Sequence, residues 1–374
     1  MGYPTIQCTI MFVDLVDSSV HAKILGIDQY TNRLMQFQKT MQETYSSFVE
    51  ALSGSVIKGK ECLPIKITPR GDEAVVYFTT NKSKKCNEDD VFLAIKLALQ
   101  MKFAWKKALM EVGGGEVETK QHIELGIGIN QGEVAAITTD DMEITNIEGY
   151  EINYAKRVES CSRLGKYTNV FLSEKARNVF HNANMIFEKH EDCNLSGIDE
   201  NVNLYEVREF LFNYTPYHFD EQMKELFNAI KENVLPAFNK TWLEQYMINI
   251  LYNEFSRTRL EHYKDKIKEI ILMSHHPDQI FYKFLKAYFL SDEMILLKLQ
   301  YYQEIVKERA TFILARKEII RLYEKVYDKL TKLELLSLDV KNYIDDMKNF
   351  HSEIIEPDET ETYEKILAKI NSLL

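Results

Sequence analysis

From Ile6 to about Phe210, short β-rich runs alternate with helical stretches, and beyond about Asn213 strand patterns give way to successive amphipathic helical ones. Mixed β and α order buries its apolar faces as a sheet covered by helices, whereas the helical remainder must pack on itself. We therefore expect an α+β domain over 1–212 followed by an all-α domain over 213–374. Two domains also suit 374 residues at roughly 100–200 residues per domain.

The first run, Ile6 to Val16, is dense in β-branched and aromatic residues and meets Asp17, Ser18 and Ser19, natural N-caps for a following helix. In that helix Leu34, Phe37, Met41, Tyr45, Phe48 and Leu52 recur at three- and four-residue steps, and Ser53-Gly54 ends it. A strand-like region, Ser55 to Phe78, breaks at the turn Pro69-Arg70-Gly71-Asp72. A helix is expected from about Asp89 to Val112, stopping at Gly113 to Gly115. Strands are expected over His122 to Ile129, Glu133 to Ile137, Asn169 to Ser173 and Asn203 to Val207, with a helix from Asn153 to Leu164.

Composition narrows the function classes. With 57 acidic and 46 basic side chains the net charge is -11, which argues against an electrostatic grip on nucleic acid or an anionic membrane. No stretch approaches the ~18 apolar residues of a membrane span. Five cysteines without a C-x-x-C pair read as reduced thiols. These features suggest a soluble, cytoplasmic protein.

Two carboxylates stand out. Asp14 closes an otherwise apolar strand, where a charge must be paired or metal-bound, and Asp72 follows Gly71 in the turn. Presented by neighbouring strands, they could hold hard divalent cations, which prefer oxygen ligands. The first amides of the helix entered at Ser18 form an anion site beside them. Taken alone, an Asp near a strand end is more often a cap or turn residue. Asn153 and Arg157 project from one helical face, where they could hold a ribose and neutralise phosphoryl charge, or simply form a polar stripe.

Order resolves these alternatives. F-V-D-L-V-D-S-S (Phe12 to Ser19), R-G-D-E (Arg70 to Glu73), G-I-G-I-N-Q-G-E-V (Gly126 to Val134) and N-Y-A-K-R (Asn153 to Arg157) follow one another over residues 4–210. In this the chain resembles the class III nucleotidyl cyclase catalytic domain. The resemblance implies a ferredoxin-like sandwich and a homodimer whose sites lie between subunits. It implies that Asp14, Asp72 and the Leu15 carbonyl bind two Mg²⁺ or Mn²⁺ ions, that Ser18 lies against the substrate, that Asn153 orients the ribose and that Arg157 stabilises charge at the α-phosphate.

The departures concern the base. The family's adenine-reading lysine, four residues before the second metal aspartate, is Thr68 here. Its partner position falls on Asn146, and the guanine-specific Glu/Cys combination is missing. Thr68 and Asn146 both donate and accept hydrogen bonds and suit a pyrimidine edge, with Arg70 as a further donor to base or phosphate. Cyclases lacking both purine codes resemble the uridylate and cytidylate cyclases of the Pycsar antiphage system, whose product activates a separate effector. We expect UTP before CTP, with an adenylate cyclase or a catalytically silent binding module as the alternatives. Family members also carry a lysine in an L-K-G-I segment. Here the segment is Leu195-Ser196-Gly197-Ile198, so another cation, Arg70 or Lys66, is expected to meet the triphosphate.

Overall fold

The apolar N-terminal run forms β1 (Thr5–Leu15), buried along most of its length because both of its faces are covered. A computed structural model describes residues 4–54, 62–80, 88–112, 124–138, 144–180, 185–198, 200–211, 237–274 and 279–308, with scattered positions between 224 and 228 and between 315 and 325. These residues fall into two compact units, Met1–His275 and His276–Leu374.

In the first unit β1 leads into α1 (Ser18–Leu25) and α2 (Ile27–Gly54), then β2 (Cys62–Arg70), β3 (Glu73–Thr80), α3 (Glu88–Val112) and β4 (Leu125–Thr138). Strands β2, β3, β1 and β4 lie in that order, all antiparallel, which is the βαββαβ arrangement of a ferredoxin-like sandwich. After β4 come β5 (Ile144–Glu148), α4 (Tyr150–Ser160), a 3₁₀ turn at Cys161–Leu164, β6 (Val170–Ser173), α5 (Glu174–Asn178), β7 (Met185–Cys193) and β8 (Val202–Phe210). They extend the sheet as β4-β6-β8-β7, β6 running parallel to β4, while β5 pairs back on the end of β4.

Two layers cover the sheet. Helices α2 and α3 pack on one face, where Phe37 and Trp105 meet edge to face at 5.9 Å. Helix α4 packs on the other, over Cys8, Ile10, Phe12, Val75, Tyr77 and Val134, with Ile147 of β5 joining this cluster. Phe37, Met41 and Phe48 are buried as their spacing requires. The runs expected as separate strands before and after Asn130 are one strand of 14 residues, because its pairing with β1 continues without interruption from Leu125 to Ala135. The single expected helix after Val16 is two helices, broken at Gly26, whose φ is 75°. β5 and β7 escaped the sequence reading: β7 alternates weakly, with Glu188 to Asp192 largely exposed at the sheet's edge.

Still within this unit, α6 (Ala237–Thr258) packs on the α+β body, and α7 (Glu261–Met273) packs on α6. Tyr246 stacks on Phe103 of α3 at 4.6 Å, Gln245 bonds the Phe210 amide and the Arg208 carbonyl, and Asn249 donates to the Phe210 carbonyl at 3.0 Å. The compact unit thus runs past the expected boundary at 212. In the second unit, α8 (Ile280–Tyr288) and α9 (Ile295–Glu308) pack together, with Lys283 and Glu308 paired at 2.6 Å. The chain breaks between α6 and α7 at Arg259, whose φ is 59°. No described helix is long and apolar enough to cross a membrane. Cys8, Cys161 and Cys193 are free thiols.

A buried carboxylate holds the loop between the 3₁₀ turn and β6. Glu206 accepts the amides of Lys166, Tyr167 and Asn169 at 2.8–2.9 Å and faces His190 Nε2 at 3.3 Å. Burial alone would raise its pKa, but the His190 bond and the three amides outweigh burial and lower it. A depressed carboxylate stabilises the fold above its unfolded pKa, roughly 4.3, and that contribution is lost as pH falls through the depressed value. Glu206→Gln should cost about 2–3 kcal/mol at pH 7. Melting curves should show the gap from wild type narrowing below roughly pH 4.

Candidate active site

Register brings the site together. Arg70, Glu73, Asp14 and Gly126 form one row across β2, β3, β1 and β4, at the end of the sheet where β1 meets α1. Gly71, with φ 65°, lets the chain turn in two residues and sets Asp72 beside Asp14. Backbone bonds tie the pieces: the Leu15 amide donates to the Asp72 carbonyl at 3.2 Å, and the Val16 amide to the Glu124 carbonyl at 2.9 Å. Glu124 is anchored in turn by Lys102 and Lys106 at 2.9 and 2.7 Å. Burial opposes ionisation of Glu124, but the two ammonium groups hold its pKa down to about 2.

Asp14 has a buried Oδ1 without a hydrogen-bond partner among the described residues. Burial, then the neighbouring Asp72 and Glu73, push its pKa up to about 7. Ser18 donates to Asp72 Oδ2 at 2.5 Å. Convergent carboxylates with an unpartnered buried oxygen form a hard-oxygen set that fits divalent cations, so Asp14, Asp72 and the Leu15 carbonyl suit the group that the sequence implied. Asp17 occupies the helix-cap position but makes no side-chain cap bond: its φ is 56°, so its carbonyl serves Val20 and His21 while its carboxylate pairs with Arg163. The expected side-chain cap is therefore absent at Asp17, because the left-handed backbone turns the carboxylate outward.

Helix α4 presents two charged faces. Lys156 and Glu159, together with Arg163 of the following 3₁₀ turn, face the Asp14 end: Lys156 pairs with Glu73, and Arg163 reaches Asp14 at 3.9 Å and Asp17 at 3.5 Å. Burial, followed by Asp14, pushes Glu159 up to about 8. Asn153 is exposed on another face, and the Arg157 guanidinium lies over Gly197, about 3.1 Å from where a Cβ would stand. Among the described residues, neither Asn153 nor Arg157 makes a hydrogen bond or ion pair with Asp14 or Asp72. Lys156, Glu159 and Arg163 were missed as site residues, although their spacing after Asn153 was a readable helical signal.

Gly128 lets α4 approach β4. A Cβ there would stand 2.6 Å from the Ala155 carbonyl and from Glu159 Cα, which are backbone atoms that cannot swing away. Gly128→Ala should cost about 3 kcal/mol and displace α4. Thermal melting together with cyclase assay checks this, since both should fall.

Thr68 is half-buried in β2, opposite Val75, and so shares the α4-facing side of the sheet. Asn146 is exposed in β5, and because its neighbour Ile147 packs on that side, strand alternation turns Asn146 to the other face, so one chain does not bring it to the face of Thr68. The side chains of Arg70 and Lys66 lie outside the described residues.

A ferredoxin-like core with paired strand-end carboxylates beside a helix start, crossed by a polar helix, has the plan of a metal-assisted phosphoryl-transfer domain. Residues 3–209 match the adenylate and guanylate cyclase catalytic domain. The chain belongs to that family and carries a nucleotidyl cyclase domain, a lyase of cyclic-nucleotide biosynthesis. Class III domains use Mg²⁺ or Mn²⁺, bind nucleoside triphosphates and commonly dimerise. Among solved structures, the chain is similar to the adenylyl cyclase CyaB from P. aeruginosa, with 17% identity over 56% of this chain and 97% of that one, TM-score 0.42. It is also similar to the guanylate cyclase domain of RhGC from Catenaria anguillulae in complex with GTP, with 15% identity over 55% and 99%, TM-score 0.38. No curated protein matches the sequence significantly.

Proposed function

We propose that the chain is a homodimeric nucleotidyl cyclase acting on a pyrimidine nucleoside triphosphate, UTP before CTP, as a signal in antiphage defence read by a separate effector. The observation that carries the pyrimidine reading is the pair Thr68 and Asn146, a hydroxyl and an amide standing where purine cyclases place their base-reading groups. The ribose 3′-oxygen attacks the α-phosphorus, the bond to the bridging oxygen breaks, and pyrophosphate leaves with the electron pair. When bound, two divalent ions supply a more acidic 3′-hydroxyl and charge neutralisation on the phosphates. Asp14, Asp72 and the Leu15 carbonyl would hold them, with Ser18 steadying Asp72. Asn153 orients the ribose, and Arg157 meets charge developing on the α-phosphoryl oxygens. Thr68 and Asn146 read the base edge, with Arg70 beside them.

Purified protein is incubated with ATP, GTP, CTP or UTP and Mn²⁺, and products are identified by mass spectrometry. Cyclic UMP or cyclic CMP supports the proposal. Cyclic AMP or cyclic GMP keeps the cyclase and discards the base assignment, while no product from any of the four favours a silent binding module.

A further inference from the structure

We propose that Arg163 is the triphosphate-gripping cation of the carboxylate half-site, binding the β- or γ-phosphate and then the leaving pyrophosphate. The proposal rests on the cyclase reading above. A triphosphate carries about four negative charges, and with Asp14 and Asp72 it exceeds what two divalent ions neutralise. The Leu195-Ser196-Gly197-Ile198 segment offers a hydroxyl where relatives place a lysine.

Among the described residues, two cations act on Asp14, namely Arg163 and Lys156. Lys156 is committed to Glu73. Arg163 is held loosely, because its contacts of 3.9 Å to Asp14 and 3.5 Å to Asp17 are long for charge-assisted hydrogen bonds. Its Nη1 donates to the Ser160 carbonyl at 3.2 Å, which orients the guanidinium with Nη2 toward Asp14 and Nε toward Asp17, and its side chain is 40% exposed. Nη2 and Nε are thus turned toward Asp14 and Asp17 without a short bond to either. Its Asp17 contact also sets it beside the start of α1, where the Asp17 carbonyl takes the Val20 and His21 amides. Metal ions on Asp14 and Asp72 weaken the pull of these carboxylates on the guanidinium, and a phosphate offers it a bidentate partner.

The test is equilibrium binding to the full chain with Mn²⁺, using 3′-deoxyuridine and 3′-deoxyadenosine triphosphates, which lack the attacking hydroxyl, alongside the corresponding monophosphates. Arg163→Ala should weaken triphosphate binding roughly tenfold to hundredfold while changing monophosphate binding by less than about twofold. Arg163→Lys should recover part of the loss. Triphosphate binding unchanged in Arg163→Ala, or lost equally for mono- and triphosphate, overturns the proposal while leaving the cyclase reading in place. A wild-type chain that binds neither triphosphate overturns both.

Discussion

Asp14→Ala and Arg157→Ala chains, each inactive alone by about a thousandfold or more, are expected to regain cyclase activity when mixed and allowed to exchange subunits. The expectation comes from the two faces of α4. Arg157 sits over Gly197, whereas Lys156, Glu159 and Arg163 of the following turn face Asp14, so among the described residues one chain keeps the two groups apart. In a head-to-tail dimer each site takes its carboxylates from one subunit and Asn153 and Arg157 from the other. Random exchange makes half the dimers mixed, and each mixed dimer keeps one intact site of two, so recovery should approach about a quarter of wild-type activity. Product formation after mixing is the readout. Exchanged mixtures that stay inactive would refute the shared site and with it the homodimer in the proposal.

The second large effect concerns where the catalytic unit ends. A chain truncated after Phe212 should lose most of its stability, whereas one truncated after His275 should stay folded. Phe103, Phe210 and Leu211 are each about 1% exposed, and Tyr246, Gln245 and Asn249 of α6 lie against Phe103 and the end of β8. At about 2 kcal/mol for each uncovered side chain, removing α6 costs roughly 6 kcal/mol. That is comparable with the whole stability of a typical domain, about 5–15 kcal/mol. Circular dichroism melts of the two truncated chains decide it. A cooperative, wild-type-like transition for the shorter chain would show that α6 is dispensable to the fold.

Much of this was readable before any coordinates. The apolar run ending in Asp14, the Gly71-Asp72 turn and the pair Asn153 and Arg157 depend on local rules, namely strand burial, turn chemistry and helical spacing. Those rules operate over a few residues, and the motif order placed the chain in its family. What lay beyond them was non-local. The continuity of β4 past Asn130 is enforced by β1, the pairing of β5 by the end of β4, and the burial of α6 by Phe103, some 140 residues earlier in the chain.

The same division runs through the site. Sequence by itself determined which residue types stand at the positions proposed for metal, ribose and phosphate, and that Thr68, Asn146 and Ser196 depart from the purine pattern and the triphosphate lysine. Only the tertiary structure decided that Asp17 turns its carboxylate toward Arg163 instead of capping its helix, that Lys102 and Lys106 anchor Glu124 behind Val16, and that α4 divides its charges between two faces. The physical reason is that charges separated along the chain become partners only when a sheet register and a helix crossing set their distances. Gly128, by allowing that crossing, converts a spacing in the sequence into a site.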